Sequence, residues 1–337
     1  MQKKIVLITG AGASKELNIS CGKDFLWEMA SRLCTRHNLD QNGNFKCCEG
    51  KYHDMINHFL KFKGINLDYK TYNKLQTNEA YWINKINLFK DEFENYIDGP
   101  NSGTIDYFLQ NQIDTEFVDI GKFALSFHLI GYEDAILQKK LYDSNSHWLG
   151  VFIEKHIENI YKNNEQSFKI ITFNYDRTIE YYIYQHLTEK LSIPETDAIS
   201  FIDFRLEVIH VYGKIGNLEW QNKTDYVKFG EKNDESKFVE YAIKNIQLIG
   251  SRVDCDTQKR INDILENPDK IFFLGYGFDK DNNSLLKIAS SVEIIYTKYG
   301  LTNEYIKSNI EGSYRSNLKK GFDKKCVDLI QCDFDLN

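Results

Sequence analysis

Five short apolar runs punctuate the chain: KKIVLIT (3–9), FKIITF (168–173), LEVIHVY (206–212), KIFFLG (270–275) and VEIIY (292–296). Each is rich in β-branched or aromatic residues, mostly apolar on both faces and bounded by Gly, Asn or charged side chains. That is the pattern of a strand buried on both sides in a parallel sheet. Helical stretches lie between the runs: DRTIEYYIYQHL (176–187) directly follows the second, and NNSLLKIASS (282–291) separates the fourth from the fifth. The alternation predicts an α/β fold, a doubly wound, Rossmann-like parallel sheet covered by helices.

Roughly 160 residues separate the first run from the second, far more than a βαβ crossover needs, so the sheet carries a large helical insertion. Within it, WLGVFIEKHIENIY (148–161) places Leu149, Phe152, Ile153, Ile157 and Ile160 on one helix face, and HDMINHFLKF and YWINKINLF follow the same pattern. The predicted organisation is a sheet domain from residues 1–45 and 165–300, a helical lobe at 46–164 and a C-terminal extension at 301–337. His156 falls on the apolar face and is expected to be a partly buried core histidine. His53 and His58 lie five apart, a spacing that does not pair metal ligands on a helix. The basic stretch RSNLKKGFDKK (315–325) is expected to be a solvated face.

A net charge of −7 argues against coating nucleic acid, which needs a basic footprint, and no direct nucleic-acid binding is expected. The chain has no apolar stretch of eighteen residues and no export pattern at its start, so the expectation is a soluble, cytoplasmic protein without membrane contact. Its seven cysteines, 21, 34, 47, 48, 255, 326 and 332, show no C-x-x-C pair. Reduced thiols and no zinc are predicted.

Four segments could carry chemistry. Gly10-Ala11-Gly12-Ala13-Ser14 follows the first strand; glycines there allow close backbone approach to a pyrophosphate, and a following helix points its N–H groups at the charge. Lys15 replaces the third glycine of G-x-G-x-x-G, so a plain strand-to-helix turn reads equally well. Thr172-Phe173-Asn174-Tyr175-Asp176 ends the second strand, where Asp176 suits a helix cap and Asn174 a turn, while side chains at such a strand end also line the ligand crevice. In Val208-Ile209-His210-Val211-Tyr212-Gly213, alternation puts His210 and Tyr212 on one face about 6.6 Å apart, a candidate base beside a phenol. Leu274-Gly275-Tyr276-Gly277-Phe278 is a second glycine turn after a strand, either a connection or a second approach to the ligand.

These four segments, in this order, resemble the sirtuin-type NAD-binding fold, in particular the bacterial sirtuin-like NADases of anti-phage defence. GAGAS resembles the phosphate loop, Thr172-x-Asn174-x-Asp176 the T-x-N-x-D signature, and GYGFDKD the ribose-side glycine turn; the likeness covers residues 1–25 and 168–297. It implies NAD+ as substrate, cleaved to nicotinamide and ADP-ribose. It places Gly10, Ala11, Gly12, Ala13, Ser14, Asp24, Thr172, Tyr212, Gly213, Gly275, Tyr276 and Gly277 around the nucleotide. Asn174 would orient the attacking water, Asp176 would hold the nicotinamide amide and His210 would act as base. Two departures stand out. The zinc module of deacylating sirtuins is missing and Asp24-Phe25 is followed by Leu26, not Arg; and the family's catalytic histidine directly precedes a glycine, where this chain has Tyr212. Control by homo-oligomerisation and by a HerA-like DNA-translocating ATPase partner is also implied. The alternatives are an NAD-dependent deacylase or ADP-ribosyl transferase, and a catalytically silent NAD or nucleotide sensor.

Overall fold

A computed structural model describes residues 3–33, 38–39, 45–46, 53–65, 77–100, 102–139, 145–163, 166–231, 240–241, 243–249, 252–314 and 317–334. Cys34, Cys47 and Cys48 lie outside these residues. Six strands form one sheet: β1 (Lys3–Thr9), β2 (Gln166–Thr172), β3 (Val208–His210), β4 (Lys270–Leu274), β5 (Glu293–Thr297) and β6 (Lys319–Phe322). Their spatial order is β3-β2-β1-β4-β5-β6 and every pairing is parallel, the order of a doubly wound Rossmann-like sheet. β1 lies at the centre, and its Val6, Leu7 and Ile8 are wholly buried, as a strand covered on both faces requires.

The apolar runs foretell five of the six strands. β3 is shorter than its run because the chain turns at Val211 and Tyr212. β6 is not foretold: within the segment read as a solvated basic face, Lys319–Phe322 pairs with β5 through Ile294–Lys319 to Thr297–Phe322, its residues exposed or half-buried. As an edge strand it exposes Lys320 to water, which discourages pairing with another chain. The helix expected over 282–291 runs instead from Lys280 to Leu285, because Asp279 caps it by accepting from the amides of Asp281 and Asn282.

Between β1 and β2 most of the described residues are helical: α1 (Ala11–Lys15) and α2 (Gly22–Arg32) follow β1, a short antiparallel pair joins Asn38–Leu39 to Phe45–Lys46, and then come α3 (His53–Phe62), α4 (Thr77–Asp98), α5 (Ile105–Gln110) and α6 (Thr115–Gln138). Phe59, Phe89, Phe93, Phe108, Phe117 and Phe123 interlock between them as a buried aromatic core, continuous with that of the sheet. α7 (Trp148–Phe152) passes through a π-helical turn at Ile153–Ile157 into α8 (Glu158–Lys162). Leu149, Phe152, Ile153, Ile157 and Ile160 are all buried, and His156 packs on Phe152 and Phe334. Among the described residues no helix is long and apolar enough to cross a membrane.

Candidate functional site

The strand order reverses between β1 and β4, so the loops leaving their carboxyl ends diverge over a crevice, the usual ligand position in such a sheet. Those loops are the two glycine turns, and here they interlock. Gly10 N donates to Leu274 O at 3.1 Å, Gly12 N to Gly275 O at 2.9 Å and Ala13 N to Gly10 O at 2.9 Å. These amides therefore serve the fold. The glycines of GAGAS permit the close crossing with Gly275 and Tyr276, where a Cβ on Gly12 would stand 2.8 Å from Gly275 O. Glu16 fixes α1 from below, accepting from the amides of Trp148 and Cys326 at 3.2 and 2.6 Å. Burial raises its carboxyl despite those bonds.

Beside this crossing lies a cavity of about 150 Å³, lined by Ala11, Ser14 and residues 19–22 on one side and by Phe173, Asn174, Tyr175 and Asp176 on the other. Phe25 and Leu26 of α2, Thr104, Ile105 and Asp106 of the insertion, and Ile249 close it. A volume of this order holds one six-membered aromatic ring. Cys21 also lines it, with its thiol pushed up by burial.

The polar wall is one hydrogen-bonded chain. Thr9 Oγ1 and Thr172 Oγ1 bond across β1 and β2 at 2.9 Å, and Asn174 N donates to Thr172 Oγ1 at 3.1 Å. Asn174 Nδ2 donates to Ser14 Oγ at 2.8 Å and to Gly10 O at 3.2 Å; Ser14 Oγ donates to Asp176 Oδ2 at 3.2 Å. Asp176 Oδ1 accepts from Thr178 N, the first amide of α9 (Thr178–Gln185), at 3.2 Å; the N-cap position itself is held by Arg177, not by Asp176 as expected. A carbonyl only accepts, so the bond to Gly10 O fixes which end of the Asn174 amide is nitrogen. Both its amide protons are then used, and Asn174 Oδ1, with no protein donor among the described residues, remains as an acceptor.

His210 stands behind this wall and not on it. Its Nδ1 bonds Asn174 O at 2.8 Å and its Nε2 bonds Glu180 Oε1 at 2.9 Å. Both partners are acceptors, so both ring nitrogens act as donors. Burial alone would raise the Glu180 carboxyl, but the charges of His210 and Lys214 and the bond from His210 outweigh it and hold it down at about 2. Tyr212, in the slot before Gly213, is buried and donates to Asn282 Oδ1 at 2.7 Å. Gly213 has φ +77°, and a Cβ there would meet Asn245 O at 2.0 Å.

The structure thus brings Ala11, Ser14, Asn174 and Asp176 onto one cavity, and Gly10, Gly12, Ala13, Gly275 and Tyr276 onto the adjoining crossing, with Thr172 beneath. His210, Tyr212 and Gly213 lie outside the cavity wall. Asp24 is exposed on the first turn of α2, and Gly277 is exposed beyond the crossing. Tyr276 packs against Phe173, its hydroxyl buried without a hydrogen-bond partner among the described residues.

Sequence reasoning missed four groups. Glu180 orients His210, and Asp106 reaches Tyr175. The wholly buried Arg177 and Glu133 pair at 2.6 Å and tie the end of the T-x-N-x-D segment to α6. Arg177 offered a signal by its place directly after Asp176; Glu133 offered none. Among the described residues no group of three His, Cys, Asp or Glu side chains is placed to hold a metal ion. Compared with protein-family models and with curated proteins, the chain matches none.

Proposed function

We propose that this protein is an NAD+ glycohydrolase. The observation that carries the reading is Asn174: an amide locked by Ser14 and Gly10, with its Oδ1 left as an acceptor beside a ring-sized cavity at the switch point of a Rossmann-like sheet. In NAD+ the nicotinamide nitrogen is cationic. When its bond to the ribosyl carbon breaks, the electron pair returns to that nitrogen and the leaving group departs neutral, so no acid need protonate it, unlike most glycosides. Water adds to the ribosyl carbon and releases one proton, giving ADP-ribose.

On this reading Asn174 Oδ1 accepts a hydrogen bond from that water and orients it. Asp176 faces the ring's amide, and the apolar walls formed by Phe25, Leu129 and Phe173 favour the neutral product over the cation. His210 holds the Asn174 carbonyl, and with both ring nitrogens donating it could serve as base only after losing one proton and releasing the partner that proton binds. Hydrolysis in the cell would deplete NAD+ as the output of anti-phage defence, under oligomeric control and with a HerA-like ATPase partner.

The test is nicotinamide release from NAD+ by the purified protein, alone and with the product of its chromosomal neighbour, beside Asn174→Ala. Wild-type turnover in that variant would refute the reading. Tight NAD+ binding without cleavage would favour a sensor, a reading helped by the double engagement of His210 and the sealing of Tyr212. Cleavage only with an acceptor protein would favour deacylation or ADP-ribosyl transfer.

A further inference from the structure

We infer that the helical insertion supplies a positioning residue to this site: Asp106, working as an un-ionised carboxylic acid that holds Tyr175 between Asn174 and Asp176. The role in turnover rests on the function proposed above; the protonation state does not. Tyr175 Oη lies 2.5 Å from Asp106 Oδ1 and 2.8 Å from the carbonyl oxygen of Gln247. Oxygen–oxygen contacts this short each need a proton between them. The phenol owns one and the carbonyl none, so the other belongs to Asp106. The acid O–H donates to Tyr175, Tyr175 donates to Gln247, and Ile249 N donates to Asp106 Oδ1 at 3.1 Å.

The surroundings agree. Asp106 is 3 % exposed, and among the described residues no Lys, Arg or His bonds its carboxyl. The titratable groups near it are Tyr175 on the motif segment, Tyr96 on α4, and Cys21 and Asp176 on other walls of the cavity, none of them cationic. A buried carboxylate without a counter-charge is strongly disfavoured.

The experiment compares the wild type with Asp106→Asn and Asp106→Ala by infrared difference spectroscopy, thermal unfolding and NAD+ turnover. The expected result is a protonated-carboxyl carbonyl band at neutral pH in the wild type, missing from both variants. Asp106→Ala leaves Tyr175 without its donor and lowers kcat by about tenfold or more, with a smaller change in KM. Asp106→Asn recovers part of the loss: an amide N–H can donate to Tyr175 as the acid O–H does, but an amide nitrogen cannot accept from Ile249 N. Absence of the band overturns the inference, since the band reports the acid O–H itself. If even the wild type fails to cleave NAD+, the proposed function falls, while the band and the unfolding data still decide the state of Asp106.

Discussion

Gly12 donates its amide proton to the carbonyl of Gly275 at 2.9 Å, and a Cβ on Gly275 would stand 1.9 Å from the amide nitrogen of Ala13. Gly275 also sits at φ +55°, where an L side chain is strained. The backbone on both sides is held by β1 and β4, so it cannot relax away. Gly275→Ala should therefore destabilise the protein by about 3 kcal/mol or more. Gly277 has open space around its Cβ direction and no positive φ, and Gly277→Ala should stay within about 0.5 kcal/mol of the wild type. Denaturant midpoints of the two variants check the contrast; equal midpoints would refute the interlock.

The same crossing marks how far the sequence could be read. β1 spans the residues of its apolar run, and β2, β4 and β5 differ from theirs by two residues or fewer at either end, because strands buried on both faces advertise themselves in composition. β6 does not: an edge strand reading Lys-Lys-Gly-Phe has no apolar run, and only its pairing with β5 makes it a strand. Asn174, Asp176 and Ser14 were visible as motif residues, and the fold places them within hydrogen-bond reach. Glu180 and Asp106 were not, because a carboxylate on a short amphipathic helix looks the same in sequence whether its face meets water or a histidine. The shortfall at His210 has the same origin: alternation placed it on the face of Tyr212, but nothing local revealed that Glu180 and Asn174 O would occupy both its nitrogens.

Arg177 and Glu133 are both wholly buried, and each is anchored beyond the other. Arg177 Nε donates to Glu133 Oε1 at 3.1 Å, Arg177 Nη1 donates to the carbonyls of Asn217 and Val227, and Gly230 N donates to Glu133 Oε2 at 3.1 Å. Removing one partner leaves an uncompensated buried charge. Glu133→Gln should cost about 3–5 kcal/mol. Replacing both by Met should not recover that loss, since the Val227 carbonyl and the Gly230 amide would lose these partners, while Asn217 O keeps the bond from Val227 N. A double-mutant cycle on unfolding free energy measures this, and a double variant as stable as the wild type would contradict it.

The contact of His210 with the Asn174 carbonyl makes a kinetic prediction. If His210 works by holding Asn174, His210→Ala and Glu180→Gln should lower kcat to similar extents, leave KM nearly unchanged, and combine without further loss. If His210 takes the proton itself, its removal should cost about 10²–10⁴ in rate, well beyond the loss in Glu180→Gln. Steady-state NAD+ cleavage by the two single variants and the double variant separates these outcomes; a much larger loss in His210→Ala would reject the positioning role.

Glu180 and Asp106 should tilt the stability profile in opposite directions. The Glu180 carboxyl is held down from 4.5 to about 2 in the fold, so the folded state binds its proton less readily than the unfolded chain. Its contribution, roughly 3 kcal/mol, is fully present above about pH 4.5 and is lost as pH falls toward 2. Burial pushes the Asp106 carboxyl up from 3.8, so the folded state binds that proton more readily. Its effect runs the other way: nothing is lost below about pH 3.8, and stability drains away as pH rises from there toward the folded value. Unfolding free energies measured across pH should show Glu180→Gln flattening the acid limb and Asp106→Asn flattening the decline on the neutral side. If Asp106→Asn instead steepened that decline, Asp106 would have to be a stabilised carboxylate in the fold, and the proton count at Tyr175 would be wrong.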